Sequence, residues 1–329
     1  MSATLQKWRN LIPKSLVAAF KNDRPPAVFL GSGFGKEAVP PLKTGVELAN
    51  RLRKTLAVRD NGIGLSELLQ YYKNSEAGTD RSVREWLETN LGRSAGRASV
   101  PGGGHYLLLS LPTREYLTTN YDMLLETAAA HVLPTGRWFA TTSAKQYCYH
   151  VDSDPVDKKV YAKVHGSFDG AGTAEIVATT DDYIREYVKP RWRTKIRDLI
   201  RKRRVVFIGY SLRDFTTWTS YVSAILQNPT DIWPHTMVGP SASEHEADFW
   251  SKYKIHYIPL TAHQFLIALH DALGTLGVGK NPVWAAAACW GVAPDIAQTR
   301  FDEEHKRSHY PEPIYTVQQI IESTYGKVR

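Results

Sequence analysis

Apolar positions along this chain follow two periods, one typical of buried strands and the other typical of amphipathic helices. Short runs rich in apolar or β-branched residues predict strands at 27–30, 115–118, 159–164, 205–208, 236–238 and 255–258. Ala27–Leu30 and Val205–Ile208 are unbroken apolar runs, as expected for strands buried on both faces. The segments between the strands have helical spacing. This alternation predicts an α/β fold, a Rossmann-like doubly wound parallel sheet with helices on both faces.

Three segments do not follow the alternation. Residues 1–24 predict one amphipathic helix that ends before Pro25 and places four residues on its apolar side: Leu5, Trp8, Leu11 and Leu16. Residues 43–110 are helical in pattern and predict a helical insertion module between the first two strands. Residues 281–329 are proline-rich and polar, which predicts a C-terminal extension outside the sheet. The expected division is therefore a domain at 1–280 and an extension at 281–329.

Composition narrows the class of protein. Hydrophobic residues make up 43% of the 329 positions, enough for a large core. No apolar run approaches the roughly 20 residues that cross a bilayer, and the N-terminal segment has no signal-peptide pattern. The two cysteines, Cys148 and Cys289, cannot form a disulfide framework or a four-cysteine zinc site. We therefore expect a soluble, cytoplasmic protein without a metal site and without a membrane partner.

Positive charge is concentrated in one segment. Residues 191–204 contain eight basic residues and one acid, Asp198, and so carry +7 of the chain's net charge of +8. Four apolar residues at helical spacing predict that one face of this helix packs inward and that the cations lie outside: Trp192, Ile196, Leu199 and Ile200. The segment is then either a solvated helix or a docking surface for nucleic acid or an acidic protein.

Four segments that can carry chemistry follow four predicted strands: Gly31-Ser32-Gly33, Thr118-Thr119-Asn120-Tyr121-Asp122, His165-Gly166-Ser167 and Gly209-Tyr210-Ser211-Leu212-Arg213-Asp214. Doubly wound sheets bind ligands beyond the carboxyl ends of their strands. We therefore expect the four segments to converge on one ligand site. Glycines after the first strand allow a pyrophosphate to approach backbone N–H groups, although the G-x-G-x-x-G spacing is incomplete because position 36 is Lys.

Each of these segments also has a purely structural interpretation. Glycines after a strand often only form a turn. Asn120 or Asp122 can cap the helix predicted from Met123. A single histidine such as His165 is often a packed, hydrogen-bonded residue.

Together the segments resemble the sirtuin family, in particular its zinc-free bacterial branch of NAD⁺ hydrolases from antiviral defence systems. The matching motifs are FLGSGF, LTTNYDMLLE, KVHGS and FIGYSLRD, in the order of the family, and the resemblance covers roughly residues 25–275. By this resemblance Asn120 and His165 correspond to the catalytic asparagine and histidine.

The resemblance also implies the residues that contact the substrate NAD⁺. Gly31, Ser32 and Gly33 correspond to the phosphate loop, and Asp122 lies near the nicotinamide end. Gly209 and Ser211 correspond to residues that line the adenosine ribose. Thr119 and Gly166, which adjoin the two catalytic positions, are expected to contact NAD⁺ as well.

The chain departs from the sirtuin deacetylases at several positions. It lacks two cysteine pairs for a structural zinc, has Gly35 where a small hydroxyl residue is usual, and has no counterpart of the arginine segment at 39–43. We therefore predict an NAD⁺ glycohydrolase without zinc, a regulated abortive-infection effector of anti-phage defence. Its expected partners are other copies of the chain or a sensor protein. The alternatives are a non-catalytic module that binds NAD⁺ or ADP-ribose, and an NAD-dependent protein deacylase.

Overall fold

A computed structural model of the chain describes residues 3–38, 40–75, 78–91, 99–133, 135–155, 158–168, 175–188, 190–212, 215–227, 233–240 and 244–275. The predicted C-terminal extension, 281–329, lies outside the described residues. None of the helices within these ranges is long and apolar enough to cross a membrane.

The described part of the chain contains one sheet of seven parallel strands. These are β1 (Ala27–Leu30), β2 (Glu115–Thr118), β3 (Trp138–Thr141), β4 (Lys159–Lys163), β5 (Val205–Ile208), β6 (His235–Gly239) and β7 (Ile255–Pro259). Their order is β3-β4-β2-β1-β5-β6-β7. Every neighbouring pair is parallel. The predicted doubly wound parallel sheet is confirmed.

Thirteen α-helices surround the sheet in the described residues. They are α1 (Ala3–Asn10), α2 (Lys14–Phe20), α3 (Gly45–Thr55), α4 (Leu65–Lys73), α5 (Asp80–Asn90), α6 (Gly103–Ser110), α7 (Leu124–Val132), α8 (Ala144–Ser153), α9 (Thr180–Val188), α10 (Arg193–Lys202), α11 (Phe215–Gln227), α12 (Glu244–Lys252) and α13 (Ala262–Leu273). A 3₁₀ helix covers Ser32–Glu37.

The sheet separates two apolar cores. Val28 and Leu30 of β1 belong to the core that α1, α2, α6, α7 and α13 cover. Ala27 and Phe29 of the same strand belong to the opposite core, which is covered mainly by α8, α10 and α11. Alternate side chains of a strand point to opposite faces, so a central strand must be apolar throughout. This requirement explains the unbroken apolar runs of β1 and β5.

The helical segment predicted over 43–110 consists of two parts. Helices α3, α4 and α5 form a separate core, in which Leu52, Leu68 and Leu87 are fully buried together with Phe168 from the loop after β4. Helix α6 instead contributes Leu108 and its neighbours to the main core beside the sheet. The small module is therefore α3–α5, and it packs against the segment that follows His165.

The N-terminal segment differs from the single helix predicted over 1–24. Two helices form, because Pro13 has no N–H for an α1 hydrogen bond and begins the next helix instead. Between the two helices Ile12 is buried at 6% exposure, whereas Leu11, which was predicted to pack inward, is 36% exposed.

The basic segment 191–204 is only partly as predicted. Its four apolar residues are buried, which confirms the inward face. The prediction that the cations lie outside is wrong for Arg203. Its guanidinium pairs with the buried carboxylate of Glu115 and donates to the carbonyl of Pro25. Arg191 pairs with Glu186, and Arg193 lies 4.8 Å over the ring of Tyr187, so part of the charge is balanced within the fold.

Candidate functional site

The four predicted segments follow four adjacent strands, β4, β2, β1 and β5. After β4 the chain crosses to the other side of β1 to form β5, so β1 lies at the switch point of the sheet. In such folds the crevice beyond the carboxyl ends of the strands at this point binds the ligand. The predicted convergence of the four segments on one edge is therefore confirmed.

The loops after β1 and β5 are in direct backbone contact. The Gly31 N–H donates to the Ile208 carbonyl at 3.0 Å, and the Gly33 N–H donates to the Gly209 carbonyl at 2.8 Å. A Cβ at Gly31 or Gly33 would lie 2.5 or 2.8 Å from the Gly209 oxygen. Gly209 has φ +62°, and a Cβ there would lie 2.3 Å from the Phe34 nitrogen. Glycine is required at these three positions because two backbones meet there.

This contact changes the expected chemistry of the phosphate loop. The Gly33 N–H, which was expected to face a phosphate, is engaged by Gly209. The Ser32 hydroxyl, on the exposed side of the loop, accepts a hydrogen bond from the Gly45 N–H at 3.3 Å. Lys36 pairs with Glu47 at 2.6 Å, and this contact, with that from Thr44, lowers the pKa of Glu47 to about 2. The loop is thus anchored to the first turn of α3.

Asn120 is held by its own strand, β2, and by the loop after β1. Its side-chain amide donates from Nδ2 to the Gly31 carbonyl at 3.0 Å. Its backbone N–H donates to Oγ1 of Thr118 at 3.0 Å, and that hydroxyl donates to the Leu30 carbonyl, also at 3.0 Å. Since Nδ2 faces Gly31, Oδ1, the other terminal atom of the planar amide, is directed away from Gly31. The catalytic candidate therefore has a fixed orientation beside the glycine loop.

The alternative that Asn120 or Asp122 caps the next helix applies only to Asp122. Helix α7 begins at Leu124, and the Leu124 N–H donates to Oδ1 of Asp122 at 3.2 Å. The Asn120 side chain bonds to Gly31 and not to the start of this helix. Asp122 is half-buried.

His165 lies two residues after β4 and is 2% exposed. Its ring meets the ring of Tyr183 edge to face at 5.3 Å, with the Tyr183 hydroxyl 3.5 Å from Nδ1. Its carbonyl accepts from the Val177 N–H at 2.9 Å. Gly166 follows with φ +89°, and a Cβ there would lie 2.2 Å from the Glu175 carbonyl. The histidine is thus held in a tight turn against the segment that leads into α9.

The other residues predicted to contact NAD⁺ lie at the same edge of the sheet but differ in their exposure to solvent. Thr119 is half-buried between Thr118 and Asn120, whereas Ser211 is exposed. Arg213 and Asp214 of the motif GYSLRD lie outside the described residues. The structure thus brings Gly31, Gly33, Gly209 and Asn120 into contact and leaves Ser211 at the rim.

Lys163, the last residue of β4, is a buried cation that the sequence analysis did not identify. It is 2% exposed. Its ammonium group donates to the carbonyls of Tyr121 (3.1 Å) and Asp122 and pairs with Glu126 at 3.0 Å. Burial raises the pKa of Glu126, and the nearby Lys163 partly offsets that rise. A lysine within an apolar strand, two residues before His165, was the available signal.

A second unpredicted cluster adjoins the glycine loop. Glu37, at the end of the 3₁₀ helix, accepts from the His263 backbone N–H at 3.1 Å and lies 3.2 Å from Nδ1 of that residue. His105 is 2% exposed, and its ring packs edge-on against Phe34 at 4.9 Å. Burial lowers the pKa of His105, against opposing effects of Asp122 and Glu37. Helices α6 and α13 are thereby fixed beneath the loop.

Within the described ranges, no three His, Cys, Asp or Glu side chains come together in a way that could hold a metal ion. Cys148 is a half-buried thiol in α8, and Cys289 lies outside these ranges.

A protein family model matches part of the chain. Residues 114–258 match the family model of the SIR2-like domain, a range that includes Asn120, His165 and Gly209. The resemblance to the sirtuin family is thus confirmed over these residues, which make up less than half of the chain. The glycine loop after β1 precedes the matched range.

Individual proteins match the chain at modest identity and over less than half of its length. The chain is 33% identical over 120 residues to the NAD(+) hydrolase ThsA of Enterococcus faecium, covering 36% of this chain and 23% of that protein. It is 31% identical over 158 residues to the NAD(+) hydrolase ThsA of Bacillus cereus (strain MSX-D12), covering 46% and 29%. It is 30% identical over 113 residues to Defense-associated sirtuin 2 of Bacillus subtilis, covering 34% and 10%. The chain thus spans less than a third of the length of each of these relatives.

Among solved structures, the chain resembles one from work on the structural basis for the mechanism and regulation of Sir2 enzymes. The TM-score is 0.43 and the identity 11%, over 84% of this chain and 99% of that one.

Proposed function

We propose that this chain is an NAD⁺ glycohydrolase. It would break the bond between the nicotinamide nitrogen and ribose C1′ with water, giving nicotinamide, ADP-ribose and a proton. The observation that carries the proposal is the position of Asn120, whose amide is anchored to the glycine loop at the switch point. His165 follows β4, which lies beside β2, the strand that Asn120 follows. The similarity to proteins named NAD(+) hydrolase ThsA supports the same reaction.

The reaction needs little from the protein beyond orientation and a base. Loss of nicotinamide leaves positive charge on the ribose, as in the oxocarbenium-like transition state of glycoside cleavage. The leaving group is already cationic, so a strong general acid is unnecessary. The Asn120 amide oxygen, directed away from Gly31, can orient the ribose or the attacking water. His165 can accept the proton of that water, a role suited to neutral imidazole near pH 7.

The substrate contacts follow from the same arrangement. Gly31, Gly33 and Gly209 hold the loops after β1 and β5 together at the switch point, and a pyrophosphate would lie along this joined edge. Asp122 would contact the nicotinamide end, and Ser211, at the exposed rim, the adenosine ribose.

We further propose that the activity serves anti-phage defence and is held silent until triggered. Hydrolysis of NAD⁺ without control would kill the cell that makes the enzyme, and this outcome suits an abortive-infection effector in the cytoplasm. The resemblance to Defense-associated sirtuin 2 supports a defence role. Control by assembly of several copies or by a sensor protein would provide the trigger.

The deciding experiment measures nicotinamide release from NAD⁺ by the purified full chain, alone and in lysate from phage-infected cells. The variant His165→Ala serves as the control. Release that requires His165 supports the hydrolase, and a further requirement for infected lysate supports regulation. Binding of NAD⁺ without release under either condition would instead indicate a non-catalytic nucleotide-binding module. Release that occurs only with an acyl-lysine peptide would indicate a deacylase.

A further inference from the structure

Lys163 connects the two segments that carry the catalytic candidates. In the sheet it is the register partner of Thr118, and it precedes His165 by two residues. From that position its ammonium group reaches the carbonyls of Tyr121 and Asp122, directly after Asn120. Its remaining contacts are Glu126 at 3.0 Å and the Met123 sulfur at 3.4 Å. One side chain therefore holds the loop after β2 to the end of β4.

A lysine at this position is costly. Moving an ammonium group out of water has an effective penalty of several kcal/mol, and hydrophobic replacements of buried ion pairs are often neutral or stabilising. Tyr161, two residues earlier and on the same face of the strand as Lys163, packs into the apolar core on that side of the sheet. The fold alone does not require a cation here. An apolar residue, however, could not donate hydrogen bonds to two consecutive loop carbonyls, as Lys163 does.

We propose that Lys163 is a positioning residue of the site, which fixes the Tyr121–Asp122 backbone, and with it the Asn120 amide, relative to His165. Its effect on turnover rests on the proposed function, whereas its hold on the loop does not. Small displacements of catalytic groups, of about 1 Å, can cost about 100-fold in rate. Lys163 would therefore act on the rate of bond cleavage more than on the affinity for NAD⁺.

The same strand offers a matched control. Lys159, its first residue, reaches through Nζ to the carbonyls of Leu111 at 2.8 Å and Thr113 at 2.7 Å. It also lies 3.1 Å from the Tyr116 hydroxyl. Lys159 and Lys163 thus make the same kind of contact to backbone carbonyls of an adjoining loop, at opposite ends of one strand. Only Lys163 does so at the end that bears the candidate site.

The test compares Lys163→Met with Lys159→Met by hydrogen–deuterium exchange and by steady-state nicotinamide release. In Lys163→Met we expect faster exchange over residues 119–124 and a fall in kcat of about tenfold to 100-fold, with KM changed far less. In Lys159→Met we expect faster exchange near 111–114 and unchanged turnover. Unaltered exchange over 119–124 in Lys163→Met would overturn the proposal. Equal losses of turnover in the two variants would overturn it as well.

The double variant Lys163→Met/Glu126→Met separates positioning from charge balance. Removing both charges leaves no uncompensated carboxylate, so this protein is expected to fold even if the single variant does not. If Lys163 positions the loop, the double variant keeps the low kcat and the fast exchange over 119–124. Recovery of wild-type turnover and exchange would show that Lys163 only balances Glu126, and the proposal would fail. Absence of nicotinamide release from the wild type would refute the proposed function, while the exchange data would still decide the role of Lys163.

Discussion

Buried polar side chains lie at both ends of the strands, the amino edge and the carboxyl edge of the sheet, and two groups of them differ in what they contact. At the amino edge Glu115, 3% exposed, accepts from the Tyr147 hydroxyl at 2.6 Å and pairs with Arg203. Glu115 thus binds two other side chains, and Arg203 also donates to the Pro25 carbonyl. At the carboxyl edge Asn120 and Lys163 instead bind backbone carbonyls of loops, namely Gly31 and Tyr121–Asp122.

The comparison shows that a buried charge does not by itself identify a functional site. At the amino edge the polar groups form an ion pair and a hydrogen bond that join β2 to α8 and to the residue after α10. At the carboxyl edge they set the positions of loops that hold reactive groups. We therefore expect substitutions at the amino edge to change stability alone, and substitutions at the carboxyl edge to change turnover.

The largest expected effect is a loss of turnover after substitution of either catalytic candidate at the carboxyl edge. Asn120→Ala and His165→Ala should each lower nicotinamide release by at least about 100-fold, because one removes the orienting amide and the other the base. Both should keep a folded circular dichroism spectrum. Retention of most activity in either variant would refute its catalytic role.

Glu115→Gln is the matching change at the amino edge. It removes the charge that compensates buried Arg203, at a cost of about 3 kcal/mol in the free energy of unfolding. Turnover per folded molecule should remain that of the wild type. Urea denaturation and nicotinamide release on the same sample would test both statements, and a large loss of turnover would contradict the comparison.

Acid should weaken the amino edge through His235, the first residue of β6. Burial, with a smaller effect of Arg204, lowers the pKa of His235 from 6.5 to about 3. Between these values the unfolded chain binds a proton that the folded chain does not. Above about pH 6.5 His235 therefore does not lower the free energy of unfolding. As the pH falls toward 3, His235 lowers that free energy by up to about 5 kcal/mol.

His235→Asn would isolate that contribution, since its amide oxygen can replace Nδ1 as the acceptor of the Val205 N–H. Unfolding free energies measured from pH 7 to pH 4 should fall less steeply in this variant than in the wild type. Parallel curves for the two proteins would exclude His235 as a source of acid sensitivity.

Two glycines with positive φ provide the next comparison. Gly209→Ala should cost about 3 kcal/mol and raise KM for NAD⁺, because the new Cβ would lie 2.3 Å from the Phe34 nitrogen and force the two loops apart. Gly274→Ala, at the end of α13 with φ +72° and open space around it, should cost only about 1 kcal/mol. Thermal melts and KM values for the pair test this. Similar melts would show that conformation, and not contact, determines the need for glycine.

The smallest expected effect concerns Thr118, whose hydroxyl connects Leu30 to the Asn120 backbone. Thr118→Val keeps the shape but leaves the Asn120 N–H without this acceptor, at a cost of about 1–3 kcal/mol. We expect a decrease in kcat of several-fold as the asparagine loosens. Thr141→Val is the control: Thr141 ends β3 and likewise accepts from a backbone N–H two residues later. It should leave kcat unchanged.

The sequence alone was sufficient to predict the central strands of the sheet, but not the outermost strand beside β4. β1 and β5 were predicted because both of their faces are covered and their residues are all apolar. β3 was missed because it lies at the edge of the sheet beside β4, where Trp138 and Phe139 are half-buried. Its apolar run, Trp138 to Ala140, is only three residues long. The break at Pro13 was also missed, since the apolar spacing of α1 and α2 continues across it.

For the candidate site, the sequence placed the four segments but not their contacts. The fit of Gly33 against Gly209 depends on β1 and β5 being neighbours. Their first residues, Ala27 and Val205, are register partners although they lie 178 positions apart in the sequence. Lys163 is part of the motif KVHGS, but a lysine side chain is long enough to reach several loops, so the motif did not indicate its partner. Only the fold shows that it reaches the backbone after Asn120.

The contact of Gly31 and Gly33 with Gly209 also restricts how this protein can evolve. Every amino-acid replacement of a glycine adds a Cβ, and each of these three positions has backbone within 3 Å of where that atom would lie. Because the obstacle is main chain, which every residue possesses, no second mutation at the facing position can make room. Changes in substrate preference among descendants of this sequence should therefore arise at the rim, near Ser211, while the three glycines are inherited unchanged.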